Sequence, residues 1–199
     1  MKIIFHYFFL HLLLLTPLFA DSHLDLDFEG IKIGDSLLSY MTQEEILNEI
    51  EYNNSVGQKY LTYEFGEVYH DVINSHNKTT HLAFYVKPKD NEFIIHFIRE
   101  IKIFENDFNG CMKLRDKVDN LLQNYYMNAD REEISFKMDF DETGESQTHN
   151  VNFLFANGDF ITLTCQKYSE TYKLQYNLVD QFNLALGTNE IKIWFLNPI

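Results

Sequence analysis

Between His81 and Cys165 the large apolar residues recur at every second position, in short runs separated by turn signals, and this period most limits what the chain can fold into. Side chains alternate across a strand, so a period of two buries one face of an antiparallel sheet. Leu82, Phe84 and Val86 point one way, and the turn Pro88-Lys89-Asp90-Asn91 leads into a long return strand, Phe93 to Phe104. Within that strand Ile94 and Ile98 change phase with Ile101 and Ile103, which predicts a bulge near Arg99-Glu100. Further strands follow at Ile134, Phe136, Met138 and Phe140, and at Val151, Phe153 and Phe155. The Asn157-Gly158 dipeptide then joins them to Ile161, Leu163 and Cys165 as a tight hairpin. With 18 Phe and 12 Tyr, rings are available to cover a sheet face.

Helical signals interrupt the strands. Thr42-Gln43-Glu44-Glu45 is a capping box, with Met41 and Ile46 placed as its hydrophobic staple, and predicts a helix from Gln43 to Glu51. Ahead of it, Ser36 to Met41 reads as a short helical turn. A strand is expected at Tyr60 to Phe65. A second helix is expected from Phe108 to Tyr126 with Asp107 as N-cap. Its apolar face is read as Cys111, Leu114, Val118, Leu121, Leu122 and Tyr125, which leaves Lys113, Arg115, Asp116, Lys117, Asp119 and Asn120 toward water. The tail is read as a strand pair, Tyr172–Tyr176 with Gln181–Leu186, and a short helix opened by Thr188 and carrying Ile191, Trp194 and Phe195. The expected class is therefore α+β: helices on an antiparallel sheet, in one domain over 21–199. Helix followed by strands occurs twice, which suggests pseudo-repeats over 28–104 and 105–199, without evident residue identity between them.

The N-terminus sets the compartment. Lys2, the apolar run from Ile3 to Leu15 and the ending Leu18-Phe19-Ala20 before Asp21 read as an export signal over 1–20, cleaved after Ala20, and the product as secreted or periplasmic. If uncleaved, Ile3 to Ala20 could serve as an anchor, against which His6, His11 and the lone flanking Lys argue. No later apolar run reaches the roughly 18 residues needed to span a bilayer. Removing Lys2 leaves 15 of the 16 Lys and Arg against 30 acidic residues. Such a surface disfavours nucleic acid and acidic lipid; it suits a cationic partner or serves solubility alone. In an oxidising compartment Cys111 and Cys165 are expected to form a disulfide, the alternative being two buried thiols.

Gly30-Ile31-Lys32-Ile33-Gly34-Asp35-Ser36, followed by Thr42-Gln43-Glu44-Glu45-Ile46, resembles the opening of exported bacterial lipoproteins of the SmpA/OmlA type. That resemblance implies a Gly-containing turn leading into helices on a small antiparallel sheet, and an accessory role in outer-membrane assembly. The chain departs from that pattern in having no lipid-bearing Cys and no Leu-Gly-x-Pro turn. Phe28-Glu29-Gly30, Phe108-Asn109-Gly110-Cys111 and Asn157-Gly158-Asp159 also look similar to small secreted bacterial proteins of unknown function, which implies export and an α+β fold.

Chemical signatures are sparse. Asp139, Asp141, Thr143 and Glu145, with Gly144 at the bend, resemble a calcium loop, but Asn150 stands where a bidentate Glu is expected. The alternative is an acidic hairpin loop. Of the histidines beyond the signal, His81 and His96 could meet across the first hairpin near His70-Asp71; His23, His76 and His149 stand apart. There is no Gly-x-Ser-x-Gly elbow and no phosphate-cradling Gly-rich loop, so no catalytic residue and no cofactor is expected. The leading expectation is a non-enzymatic envelope or secreted module that binds another protein through an aromatic sheet face. An apolar small-molecule binder is the alternative, and a hydrolase with unrecognised carboxylates the third reading.

Overall fold

A computed structural model describes residues 25–56, 64–73 and 79–197. The expected export signal and residues 60–63 of the strand expected at Tyr60–Phe65 lie outside these, as do His23 and His76. Among the described residues the alternating runs form one antiparallel sheet of seven strands with four α-helices, an α+β fold.

The chain enters through a tight turn, with Phe28 bridged to Ile31 and Ser36 bridged to Ile94, and a 3-10 turn at Leu37–Ser39. Helix α1 (Gln43–Val56) starts at the capping box: the Glu45 carboxylate accepts from the Thr42 backbone N–H at 2.8 Å. The Thr42 hydroxyl oxygen in turn accepts from the Glu45 N–H at 3.3 Å. Strands β1 (Gly66–Ile73), β2 (Thr79–Val86) and β3 (Ile95–Ile103) form a meander, then α2 (Phe108–Tyr125) precedes a second meander of β4 (Asp130–Lys137), β5 (Gln147–Leu154) and β6 (Phe160–Lys167). Helix α3 (Glu170–Tyr176), β7 (Gln181–Gly187) and α4 (Asn189–Leu196) complete it.

The sheet order is β1-β2-β3-β7-β6-β5-β4. The strand latest in sequence is central in space, and β7 welds the two meanders by pairing with β3 on one side and β6 on the other. Helices α1 and α2 cover one face, where Ile46, Phe84, Ile98, Leu163 and Phe182 are fully buried. Each such side chain contributes about 1.5–3 kcal/mol relative to exposure. The Cys111–Cys165 disulfide lies in this core, with Cα atoms 6.0 Å apart, and ties α2 to β6. Helix α4 packs on the opposite face at one end, where Trp194 stacks near Phe65 at 5.4 Å and Tyr85 at 6.0 Å between ring centroids.

Three local expectations are corrected. Helix α2 turns its expected face only in part: Cys111, Leu114, Val118 and Leu122 pack in the core as read, but Arg115 and Asp119, read as solvent-facing, are only 5% and 7% exposed, while Leu121 and Tyr125, read as core, are exposed. The reason is β4, which flanks the helix with charged partners, so that Arg131 bonds Asp119 at 2.7 Å and Arg115 bonds Glu133 at 3.0 Å. Tyr172–Tyr176 is helix α3, not strand, because Ser169 accepts from the Tyr172 N–H as N-cap and Asn177 closes the helix in the left-handed region at φ 52°. The strand irregularity falls between Tyr85 and Val86, opposite His96, and pairing is regular through Arg99 and Glu100. Ile98 and Ile101 face opposite sides simply because they are three residues apart on a regular strand.

Candidate binding face of the sheet

Strand register assigns each residue of the face opposite α1 and α2 to a row running from one sheet edge to the other. One row, Tyr85, Phe97, Gly187 and Phe160, lies beneath α4. The backbone must come close here: a Cβ added at Gly187 would sit 2.5 Å from the Phe160 ring. The next row runs Tyr69, Ala83, Arg99, Ala185, Thr162 and Asn152. A third runs Asp71, His81, Ile101, Asn183, Thr164, Asn150 and Ile134, and a fourth Ile103, Gln181, Gln166, Thr148 and Phe136. No residue of α3 is buried, and this helix meets the loop after β4 instead, its Tyr172 hydroxyl donating to the Phe140 carbonyl. The third and fourth rows therefore leave a helix-free, largely polar surface across β7, β6, β5 and β4.

Its floor is a grid of four side chains, because Asn150 pairs with Thr164 and Thr148 pairs with Gln166 across β5 and β6. Phe136, Met138 and Phe140 wall one side, and with Asp139 they complete an open groove of about 580 Å³. Phe136 and Phe140 are 52% and 54% exposed, unusually open for rings of this size. Gln166 commits one end of its amide to its neighbours: Gln181 Nε2 at 2.5 Å, with Asn183 Nδ2 and the Tyr168 hydroxyl each at 3.3 Å. Whichever way that amide is turned, its other end is left for the groove. The Thr148 hydroxyl likewise donates to one end of the Asn150 amide at 3.1 Å and leaves the other. Asn183 of β7, the register partner of Thr164, does not line the groove; it is 5% exposed, and its Oδ1 has no partner among the described residues.

Toward β1 the same face is electrostatically closed. Arg99 donates through Nη2 to the buried Glu67 carboxylate at 3.0 Å and to the Tyr69 hydroxyl at 3.2 Å. Burial, reinforced by the Glu67 charge, pushes the Tyr69 and Tyr85 phenols above their ordinary range, so both stay neutral. This cluster is a braced pair rather than an open anion site, since its carboxylate already neutralises the guanidinium.

The residues singled out in the sequence are scattered. Asp139 lines the groove and Glu145 is exposed, whereas the Asp141 oxygens are taken up by Thr143 and Ser146. Among the described residues no three His, Cys, Asp or Glu side chains converge as a metal site. His81 and His96 do not meet. His81 pairs with Ile101 and binds Asp71 at 2.7 Å, while His96 lies at the other end of the hairpin, 3.3 Å from Glu190 of α4. The disulfide cysteines are joined and fully buried.

One pair escaped sequence reading. Ser135 and His149 are register partners on β4 and β5, with Oγ and Nδ1 2.8 Å apart. Nucleophile and base stand within reach, and burial together with the Arg115 charge holds the imidazole below its ordinary range. Phe108 packs on the ring at 5.6 Å, and the Ser135–His149 bond joins β4 to β5; among the described residues no carboxylate is hydrogen-bonded to the imidazole. Only the strand register, fixed by pairing, could have revealed it. No described helix is long and apolar enough to cross a membrane. No protein-family model, curated protein or solved structure matches this chain.

Proposed function

We propose that this chain is an exported, non-enzymatic binding module that engages an envelope or extracellular partner through the helix-free face of its sheet. The observation that carries this reading is the groove across β4 to β6, where exposed Phe136 and Phe140 stand beside amide and hydroxyl groups with unused hydrogen-bonding capacity. Soluble domains tend to cover large aromatic rings, and exposed ones beside convergent polar groups favour recognition. The interface between α1, α2 and the sheet, by contrast, is filled by Ile46, Ile50, Cys111 and Leu122 against strand side chains, which argues for a surface site over an internal cavity. The buried disulfide accords with export, as does the apolar N-terminal run ending at Ala20.

The test is retention on the producing cell's envelope fraction, measured by co-sedimentation of the purified chain. Phe136→Asp should abolish retention, whereas Leu174→Asp, on the exposed surface of α3, should not. Equal retention of both variants would overturn the assignment of the face.

A further inference from the structure

Resting on that reading of the sheet face, we propose that the groove binds a neutral saccharide. Its polar groups are amides and hydroxyls, set out on a grid with about 4.8 Å between adjacent strands and about 6.6 Å between alternate residues of one strand. Thr148 and Asn150 from β5, and Thr164 and Gln166 from β6, occupy the corners. Thr148 is buried and its hydroxyl donates to Asn150, which leaves Asn150, Thr164 and Gln166 to exchange hydrogen bonds with a sugar hydroxyl, which both donates and accepts. The Asp139 carboxylate at the rim accepts from hydroxyls and repels anions, and no Lys or Arg lines the groove. With a chain charge of −14, phosphorylated, sulfated and uronic ligands are disfavoured.

The apolar wall completes the complementarity. A sugar ring has C–H faces as well as hydroxyl edges, and Phe136 stands at the side of the polar grid where such a face can lie against its ring, next to Phe140, whose ring packs on Tyr172 at 5.2 Å. Behind this floor Asn183 of β7 donates to Gln166 at 3.3 Å and so helps to hold that side chain in place. An extended peptide is a poorer fit to this floor, because backbone recognition needs an unpaired strand edge; β5 and β6 are paired on both sides, and β4 has its free edge on the side away from β5. At about 580 Å³ the groove falls within the range of small-ligand sites, which suits a short stretch of glycan.

The test titrates the isotopically labelled chain, purified from an exporting host, with cellotetraose, maltotetraose, mannotetraose and chitotetraose, using tetragalacturonate as the anionic control. At least one neutral probe should shift the Asn150 and Gln166 side-chain amide signals at millimolar concentration, and the anionic control should not. Phe136→Ala should weaken that probe about tenfold or more with an unchanged melting temperature, because the ring is exposed; Phe136→Tyr should retain it. The proposal is overturned if no neutral probe shifts these signals at about 10 mM, or if binding survives Phe136→Ala and Gln166→Ala within about twofold. Loss of envelope retention in Phe136→Asp, without binding of any saccharide, would keep the face and discard the ligand. Retention abolished by protease treatment of the envelope would then assign a protein partner.

Discussion

The Asp141 carboxylate accepts from the Ser146 N–H at 2.9 Å and hydroxyl at 2.5 Å, and from the Thr143 N–H at 3.0 Å and hydroxyl at 2.8 Å. Burial opposes ionisation, but these donors outweigh it and hold the group well below the ordinary carboxylate range. Because the unfolded chain binds that proton at a higher pH, the contribution is complete above the unfolded value near pH 4 and is lost as pH falls through the folded one. The urea midpoint should therefore drop between pH 5 and pH 2, and Asp141→Asn should flatten that drop. A parallel drop in the variant would count against the assignment. His96 follows the same direction nearer neutrality. Burial lowers its pKa more than Glu190 raises it, so the neutral imidazole is favoured and its contribution is present above pH 6.5 and lost on acidification. Asp141 was conspicuous in the sequence as one acid among several; its role as a loop anchor depends on donors brought in by the fold.

Among the elements, α2 best separates what a periodic pattern can and cannot say. Its limits and its Asp107 cap were legible, and Asp107 accepts from the Gly110 N–H at 2.9 Å. Its buried face was legible in Cys111, Leu114, Val118 and Leu122 but not in full, because Arg115 and Asp119 become buried only when β4 supplies Glu133 and Arg131. Asp119→Ala should cost about 1–2 kcal/mol in urea unfolding, since it removes the bidentate partner of Arg131 and leaves that guanidinium only Glu133 at 3.2 Å, whereas Asp119→Leu with Arg131→Met should cost less. A pair of equally damaging variants would refute this account. Helix α3 was misread because Tyr172 and Tyr176 favour strands, while the Ser169 cap and the Asn177 stop are local signals that outweigh propensity. Ser169→Ala should lower stability by about 1 kcal/mol, read as a shift in melting temperature.

For the molecule as a whole, the Cys111–Cys165 bond closes a loop of sequence separation 54 and joins α2 to the second meander. Replacing both cysteines by Ala should remove about 4 kcal/mol in the loop-entropy account, seen as a lowered urea midpoint without a change of fold. Under the export proposed above, the mature product should begin at Asp21, and an intact mass that retains residues 1–20 would count against that cleavage. The alternation of Phe, Ile and Val by itself determined that an antiparallel sheet would form, and the caps at Thr42, Asp107 and Thr188 where three helices begin, because these are interactions between residues a few positions apart. The groove was decided only in three dimensions. Its floor joins β5 to β6 and its wall comes from β4 and the loop after it, and which of these residues meet depends on long-range register and on where α4 and α3 come to rest. A polar Thr or Asn on a half-buried strand looks the same in sequence whether it meets bulk water or a binding site, because the difference lies in the neighbours that the fold provides.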